Sequence, residues 1–290
     1  MNCRLALAGF LGVVLFGGAT VHAEAPVWAI HGAKNTVYLA GSVHLLPQSD
    51  STLPAAFDKA YADSAALVME IDIDDLNPVD AQLFTLQRGM LPADQRLSGI
   101  IGQQRFDRLL KEVGGLGVPA LALERFQPWL AAMTLQQLQL AKLGFDADAG
   151  VEMQIALRAK NDSKEITGFE TLAEQLGLFA NLSIPDQIRF LDATLEETQE
   201  AQRELAELLA AWRAGNGSKL ASMLSEEYVA TPALYATLVS DRNRRWLPQI
   251  EQLLKGDRNY MVVVGTLHLV GVNGVLDLLK ANGFMAKQLQ

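Results

Sequence analysis

Apolar positions along this chain switch between a period of two and a helical period. Residues 27–30 and 36–40 are short apolar runs on either side of the turn formers Gly32, Ala33, Lys34 and Asn35, which predicts a hairpin. The second run leads directly into Gly41-Ser42-Val43-His44. Residues 53–64, with Pro54 early in the first turn, have helical composition, and residues 65–73 form a β-type run that ends in alternating carboxylates. Strand, helix, strand is the order of a crossover unit.

From residue 77 the pattern is mainly helical, over 79–88, 102–113, 127–143 and 150–160, with Gly- and Pro-bearing turns between. Residues 165–169 read as a strand. Thr171, with Glu174 three positions on, reads as a capping box opening a helix. Ser183, Pro185 and Asp186 open a long Glu-, Gln-, Ala- and Leu-rich helix running towards Trp212 and stopped by Gly215-Asn216-Gly217. Helices over 218–228 and 232–254 follow, then a buried-type strand at 260–264, Gly265-Thr266-Leu267-His268, a helix at 275–281 and a last strand within 284–289. The expected fold is α/β: a small mixed central sheet completed by both chain ends, with a large helical insertion over about 77–255, in one domain spanning 24–290.

The first 23 residues change the picture of where this domain works. Arg4, an apolar stretch over 5–20 and the small-residue site Val21-His22-Ala23 read as a secretory signal peptide, so a periplasmic or secreted protein beginning at Glu24 is expected. The only cysteine, Cys3, lies in that segment, which leaves no cysteine nucleophile, thiolate metal site or intramolecular disulfide beyond it. No later apolar run is long enough to span a bilayer. A net charge of −9 argues against nucleic acid or an anionic membrane surface as partner.

The candidate chemistry sits in two matched segments, residues 38–46 and 262–270, each an apolar strand followed by glycine, a small hydroxyl residue, an apolar residue, histidine and two aliphatics. Gly41 and Gly265 allow tight turns at strand ends, where open α/β sheets place their ligands. His44 and His268 are therefore candidate imidazole ligands for a divalent metal, and the plainer alternative is a pair of buried structural histidines. Glu70 interrupts an apolar run at the end of the third strand and is the candidate third ligand or base; the alternative is that it merely begins an exposed face with Asp72 and Asp74. Glu170, at the end of the 165–169 strand, suits a site on the same sheet edge, although a carboxylate answering a helix dipole explains it as well. Arg242, with Asn243 beside it, could stabilise an oxyanion or form an ordinary ion pair. There is no Gly-x-Ser-x-Gly elbow and no His-Glu-x-x-His helix.

Taken in order, Gly41-Ser-Val-His44, Glu70, Gly168-Phe-Glu170-Thr with Glu174-Gln175, Arg242-Asn243 with Trp246, and Gly265-Thr-Leu-His268 resemble the TraB/PrgY/GumN family, whose eukaryotic relatives include the Tiki proteases. The segment from Gly150 through Glu152 resembles the family's helix before the 165–169 strand. The resemblance implies a fold related to erythromycin esterases and haem-binding ChaN-like proteins. It implies a metal-dependent hydrolase acting on a peptide or protein substrate, with Mn, Co or Zn at His44, His268 and Glu70. The alternatives are a non-catalytic peptide or haem binder and an accessory protein for envelope polysaccharide production.

Overall fold

The computed structural model describes residues 24–73, 77–117, 119–196, 199–230 and 232–290; the expected leader lies outside them. Among the described residues eight strands form in chain order: β1 (Val27–His31), β2 (Thr36–Ser42), β3 (Leu46–Pro47), β4 (Ala66–Ile71), β5 (Phe145–Asp146), β6 (Glu165–Glu170), β7 (Tyr260–Gly265) and β8 (Ala286–Gln288). Six of them make one sheet in the order β6-β4-β7-β2-β1-β8, while β3 and β5 pair separately. Strands β6, β4, β7 and β2 run parallel, and β1 then β8 extend the sheet through antiparallel pairings, so it is mixed and mostly parallel.

The sequence explains this layering. β4 and β7 occupy the middle and are almost wholly apolar, with Leu67, Met69, Met261, Val262 and Val263 at or near zero exposure; strands covered on both faces read as continuous hydrophobic runs. The edge strand β6 alternates exposed and half-buried positions, and β8 is only three residues long, which limits edge-to-edge pairing. The expected crossover from β2 through the helix Ala55–Asp63 to β4 forms, but β4 does not neighbour β2. The strand between them is β7, supplied from near the far end of the chain.

Helices pack on this sheet and on one another. Asn77 caps the helix Pro78–Gly89 by accepting from Val79 N at 2.9 Å. Thr171 and Glu174 form the expected capping box. A second apolar cluster, including Leu97, Phe106, Leu135 and Leu191, fills the space between helices away from the sheet. The long helix expected up to Trp212 is helical over Ile184–Glu196 and Gln199–Arg213, with residues 197 and 198 outside the description. The helix expected over 232–254 forms without a break to Leu253, as Pro232–Tyr235, a π-helical stretch Ala236–Ser240, and Asp241–Leu253. Among the described residues no helix is long and apolar enough to cross a membrane.

Candidate active site at the carboxyl edge of the sheet

Parallel register brings the chemistry to one edge. Ser42 pairs with Gly265, Met69 with Val263, and Ile71 with Glu170, so the ends of β2, β7, β4 and β6 deliver His44, His268, Glu70 and Glu170 to the same side. The two Gly-x-x-His turns touch directly. Thr266 Oγ1 donates to Ser42 O at 2.9 Å, and a side chain at Gly41 would begin 2.7 Å from that hydroxyl, so only glycine fits there. Trp212, fully buried, donates from Nε1 to Gly41 O at 2.8 Å and holds the first turn from behind.

Gly265 marks where the groups converge. The point at which another residue would carry Cβ lies 3.3 Å from Glu70 Oε1, 3.6 Å from His268 Cδ2 and 3.7 Å from His44 Nε2. Imidazoles from opposite ends of the chain therefore meet beside one carboxylate.

Arg242 is the hub of the buried part. Its Nη2 donates to Glu70 Oε2 at 2.6 Å and lies 2.9 Å from Glu170 Oε2, and its Nε donates to the same Glu170 oxygen at 3.0 Å. Its Nη1 lies 2.9 Å from His268 Nε2. Arg245 adds a bond to Glu170 Oε1 at 3.0 Å, Gln175 donates to Glu70 Oε2 at 3.0 Å, and the Gly265 N–H donates to Glu70 Oε1 at 2.8 Å. The Arg242, Glu70 and Glu170 side chains are only 5–7 % exposed, a depth at which charges persist when paired and hydrogen-bonded. Trp246 covers the group: the guanidinium lies 4.6 Å from its ring centre, the His268 ring 4.6 Å, and Phe169 stacks at 5.4 Å.

The hydrogen bonds set the protonation of His268. Asn243 Nδ2 donates to two carbonyls, His268 O at 3.1 Å and Asn273 O at 2.8 Å, so its Oδ1 faces His268 Nδ1 at 2.7 Å and the ring proton sits on Nδ1. Nε2 is then a lone pair accepting from Arg242. Burial, with Arg242 beside it and against the pull of Glu70, lowers the His268 pKa to about 4. Burial pushes the Glu70 carboxyl up, but the positive charges around it and the Gly265 N–H outweigh that and bring it to about 2.

His44 is the different histidine. Its side chain is 62 % exposed, and its Nδ1 lies 2.6 Å from Glu152 Oε1. That carboxylate raises the pKa towards about 9. Nε2 is left facing the convergence point and solvent.

Glu152 and Gln175, which entered the family pattern without an assigned role, and Arg245, which entered no pattern, are the contributors not singled out as site residues. A carboxylate in the first turn of a helix, such as Glu152 in Val151–Asn161, looks the same in sequence whether it answers the helix dipole or holds a histidine. A cavity of about 530 Å³ opens beside Glu170, lined among others by Asp72, Asp80, Phe84, Phe169 and Thr171. A larger one, about 620 Å³, lies past Leu269 and Val270 and contains none of the candidate catalytic side chains.

The family model for TraB/PrgY/gumN matches residues 26–288, which takes in both histidine turns and every residue of this cluster. The chain belongs to the TraB/PrgY/gumN family. Among its relatives, the uncharacterized protein YbaP of Escherichia coli (strain K12) is 26 % identical over 244 residues, covering 84 % of this chain and 87 % of that one. An uncharacterized protein of Treponema pallidum (strain Nichols) is 22 % identical over 278 residues, covering 89 % of this chain and 81 % of that one.

A divalent ion at His44, His268 and Glu70 would need three free donors. His44 Nε2 suits it, and Glu70 Oε1 retains a lone pair beyond the one taken by Gly265. His268 does not, because its only lone pair is occupied by Arg242. Among the described residues no three His, Cys, Asp or Glu side chains stand together so as to hold an ion. As arranged, this is an arginine-centred ion-pair network beside one open imidazole rather than a three-donor metal site.

Proposed function

We propose that this member of the family is a hydrolase, acting on peptides, in which His44 moves the proton. The observation that carries the reading is the asymmetry of the two histidines. His268 is buried and locked by Asn243 and Arg242, whereas His44 turns an uncommitted Nε2 to solvent at the convergence point. A water placed between His44 Nε2 and a substrate carbonyl would lose its proton to that nitrogen, and the imidazolium would return it to the leaving amine. Arg242, fixed by Glu70, Glu170 and His268, is a preorganised positive charge beside the developing oxyanion. Glu70, kept ionised, orients Arg242 and the Gly265 N–H. The cavity beside Glu170 is where a substrate would extend. The peptide class comes from the resemblance to the Tiki proteases.

A second reading, metal-assisted hydrolysis, has one observation in its favour. The ring nitrogen of each histidine that faces away from the convergence point is held by an oxygen acceptor, Glu152 or Asn243, as the far nitrogen of a metal-ligating imidazole commonly is. It requires Arg242 to leave His268 Nε2.

Both readings meet one experiment. The purified protein is incubated with a peptide library in chelator and, separately, with Mn²⁺, Co²⁺ or Zn²⁺, and cleavage is followed by mass spectrometry. Cleavage in chelator that drops about 100-fold or more in His44→Ala supports the first reading. Cleavage only with an added ion, together with calorimetric ion binding lost in His44→Ala, supports the second. Absence of cleavage under every condition overturns both.

A further inference from the structure

The groups above leave one buried carboxylate without a part. Glu152 comes from the first turn of the helix Val151–Asn161, far in sequence from either histidine turn, yet its Oε1 receives both Ser42 Oγ and the His44 ring. That helix is pressed against the turn that bears His44. Val151 N donates to Val43 O at 3.1 Å, and a side chain at Gly150 would begin 2.1 Å from His44 O, closer than any atom can sit. The other oxygen of Glu152, Oε2, is buried and meets no hydrogen-bond partner among the described residues. A carboxylate kept at 12 % exposure with one oxygen unsatisfied is costly for stability alone, since an apolar side chain would fill the space at less expense.

We propose that Glu152 is a positioning residue for His44: it accepts a hydrogen bond from the Nδ1–H, fixes the ring so that Nε2 faces the convergence point beside Gly265, and stabilises the imidazolium that forms during proton transfer. The inference rests on the hydrolase reading for its catalytic consequence but not for its geometry. No atom is gained or lost at Glu152; the proton taken by His44 stays on the ring until it is returned. A helix that approaches the sheet edge at a glycine thus becomes part of the site, and Gly150 is what allows the approach.

The test has one arm that needs no substrate. The full chain, labelled with ¹⁵N-histidine, is observed by proton–nitrogen NMR at neutral pH, where an Nδ1 proton shared with a carboxylate resonates far downfield. One such signal should vanish in His44→Ala, which assigns it, and should move upfield in Glu152→Gln, whose amide is the right size but uncharged. In the peptide assay, run on the plateau above about pH 9 where His44 is neutral in both proteins, Glu152→Gln should lower kcat about 10- to 100-fold with KM changed little, and should add nothing to His44→Ala. Glu152→Asp, which keeps the charge one methylene further back, should fall between; it also serves if the glutamine variant melts early. An unmoved His44 signal in Glu152→Gln, or full kcat in that variant, overturns the proposal. If wild type cleaves nothing while the signal behaves as stated, the positioning stands and the hydrolase reading alone falls.

Discussion

Arg242 is the side chain on which most of the buried charge depends. Replacing it by Met leaves Glu70 and Glu170 facing each other with no cation between them, and breaking a buried pair from one side costs about 3–5 kcal/mol. Denaturant titration of Arg242→Met should show a loss of that size; a loss below about 1 kcal/mol would mean the buried cluster does not depend on Arg242. His44 makes the complementary prediction for activity. Its raised pKa keeps it an imidazolium at neutral pH, so as the acceptor of a water proton it becomes competent as pH rises, and kcat/KM should climb between about 6.5 and 9 and then level. A profile flat across that range would remove His44 from the proton path. The residues that could be picked out from sequence were those where an apolar strand ends in a polar group: His44, His268, Glu70 and Glu170. Arg242, with Asn243 beside it, was legible as an oxyanion group or an ordinary ion pair, and the family pattern added to that reading. Glu152 was not legible as a site residue, because its contact with His44 depends on how a helix docks rather than on local sequence.

Strands and helices were read more fully than their junctions. The central strands β4 and β7 and the capping box at Thr171 carry local signals, and each forms within two residues of its expected bounds. The π-helical stretch Ala236–Ser240 carries none, since Ala, Thr, Leu, Val and Ser suit an ordinary helix there. It lies immediately before Arg242 and Asn243, where a widened turn shifts the facing of everything that follows. The separate short helix Thr266–Leu269, which turns His268 back over the sheet edge, follows from Gly265 ending β7. One contact between elements can be weighed directly. Trp212, in the helix Gln199–Arg213, reaches across to the carbonyl of Gly41, so Trp212→Phe keeps most of the packing against Phe57 but leaves a buried acceptor unmet. Thermal or chemical unfolding should register about 1–3 kcal/mol of destabilisation. A neutral result would show that the first histidine turn holds its shape without that bond.

The whole molecule answers pH through the same groups. His268 has a folded pKa of about 4, below its unfolded value of 6.5, so its contribution to stability is complete above 6.5 and disappears as pH falls through 4. Glu70, at about 2 against 4.5, contributes fully above 4.5 and fails as pH falls through 2. His44 runs the other way: raised to about 9, it contributes fully below 6.5 and loses that as pH rises through 9, though its exposed ring makes it the weakest of the three. Unfolding free energy should therefore begin to decline below about pH 6.5, and in His268→Gln the slope between 6.5 and 4 should flatten; an unchanged slope would assign the acid limb elsewhere. Strand order has its own consequence at this scale. During synthesis β2 and β4 are made long before β7, the strand that must lie between them. Until then the growing chain has two unmatched ladders and its two histidine turns are not yet together, so it depends on being kept from associating with its own kind, and a product cut short before Tyr260 is a candidate for aggregation rather than a smaller folded domain.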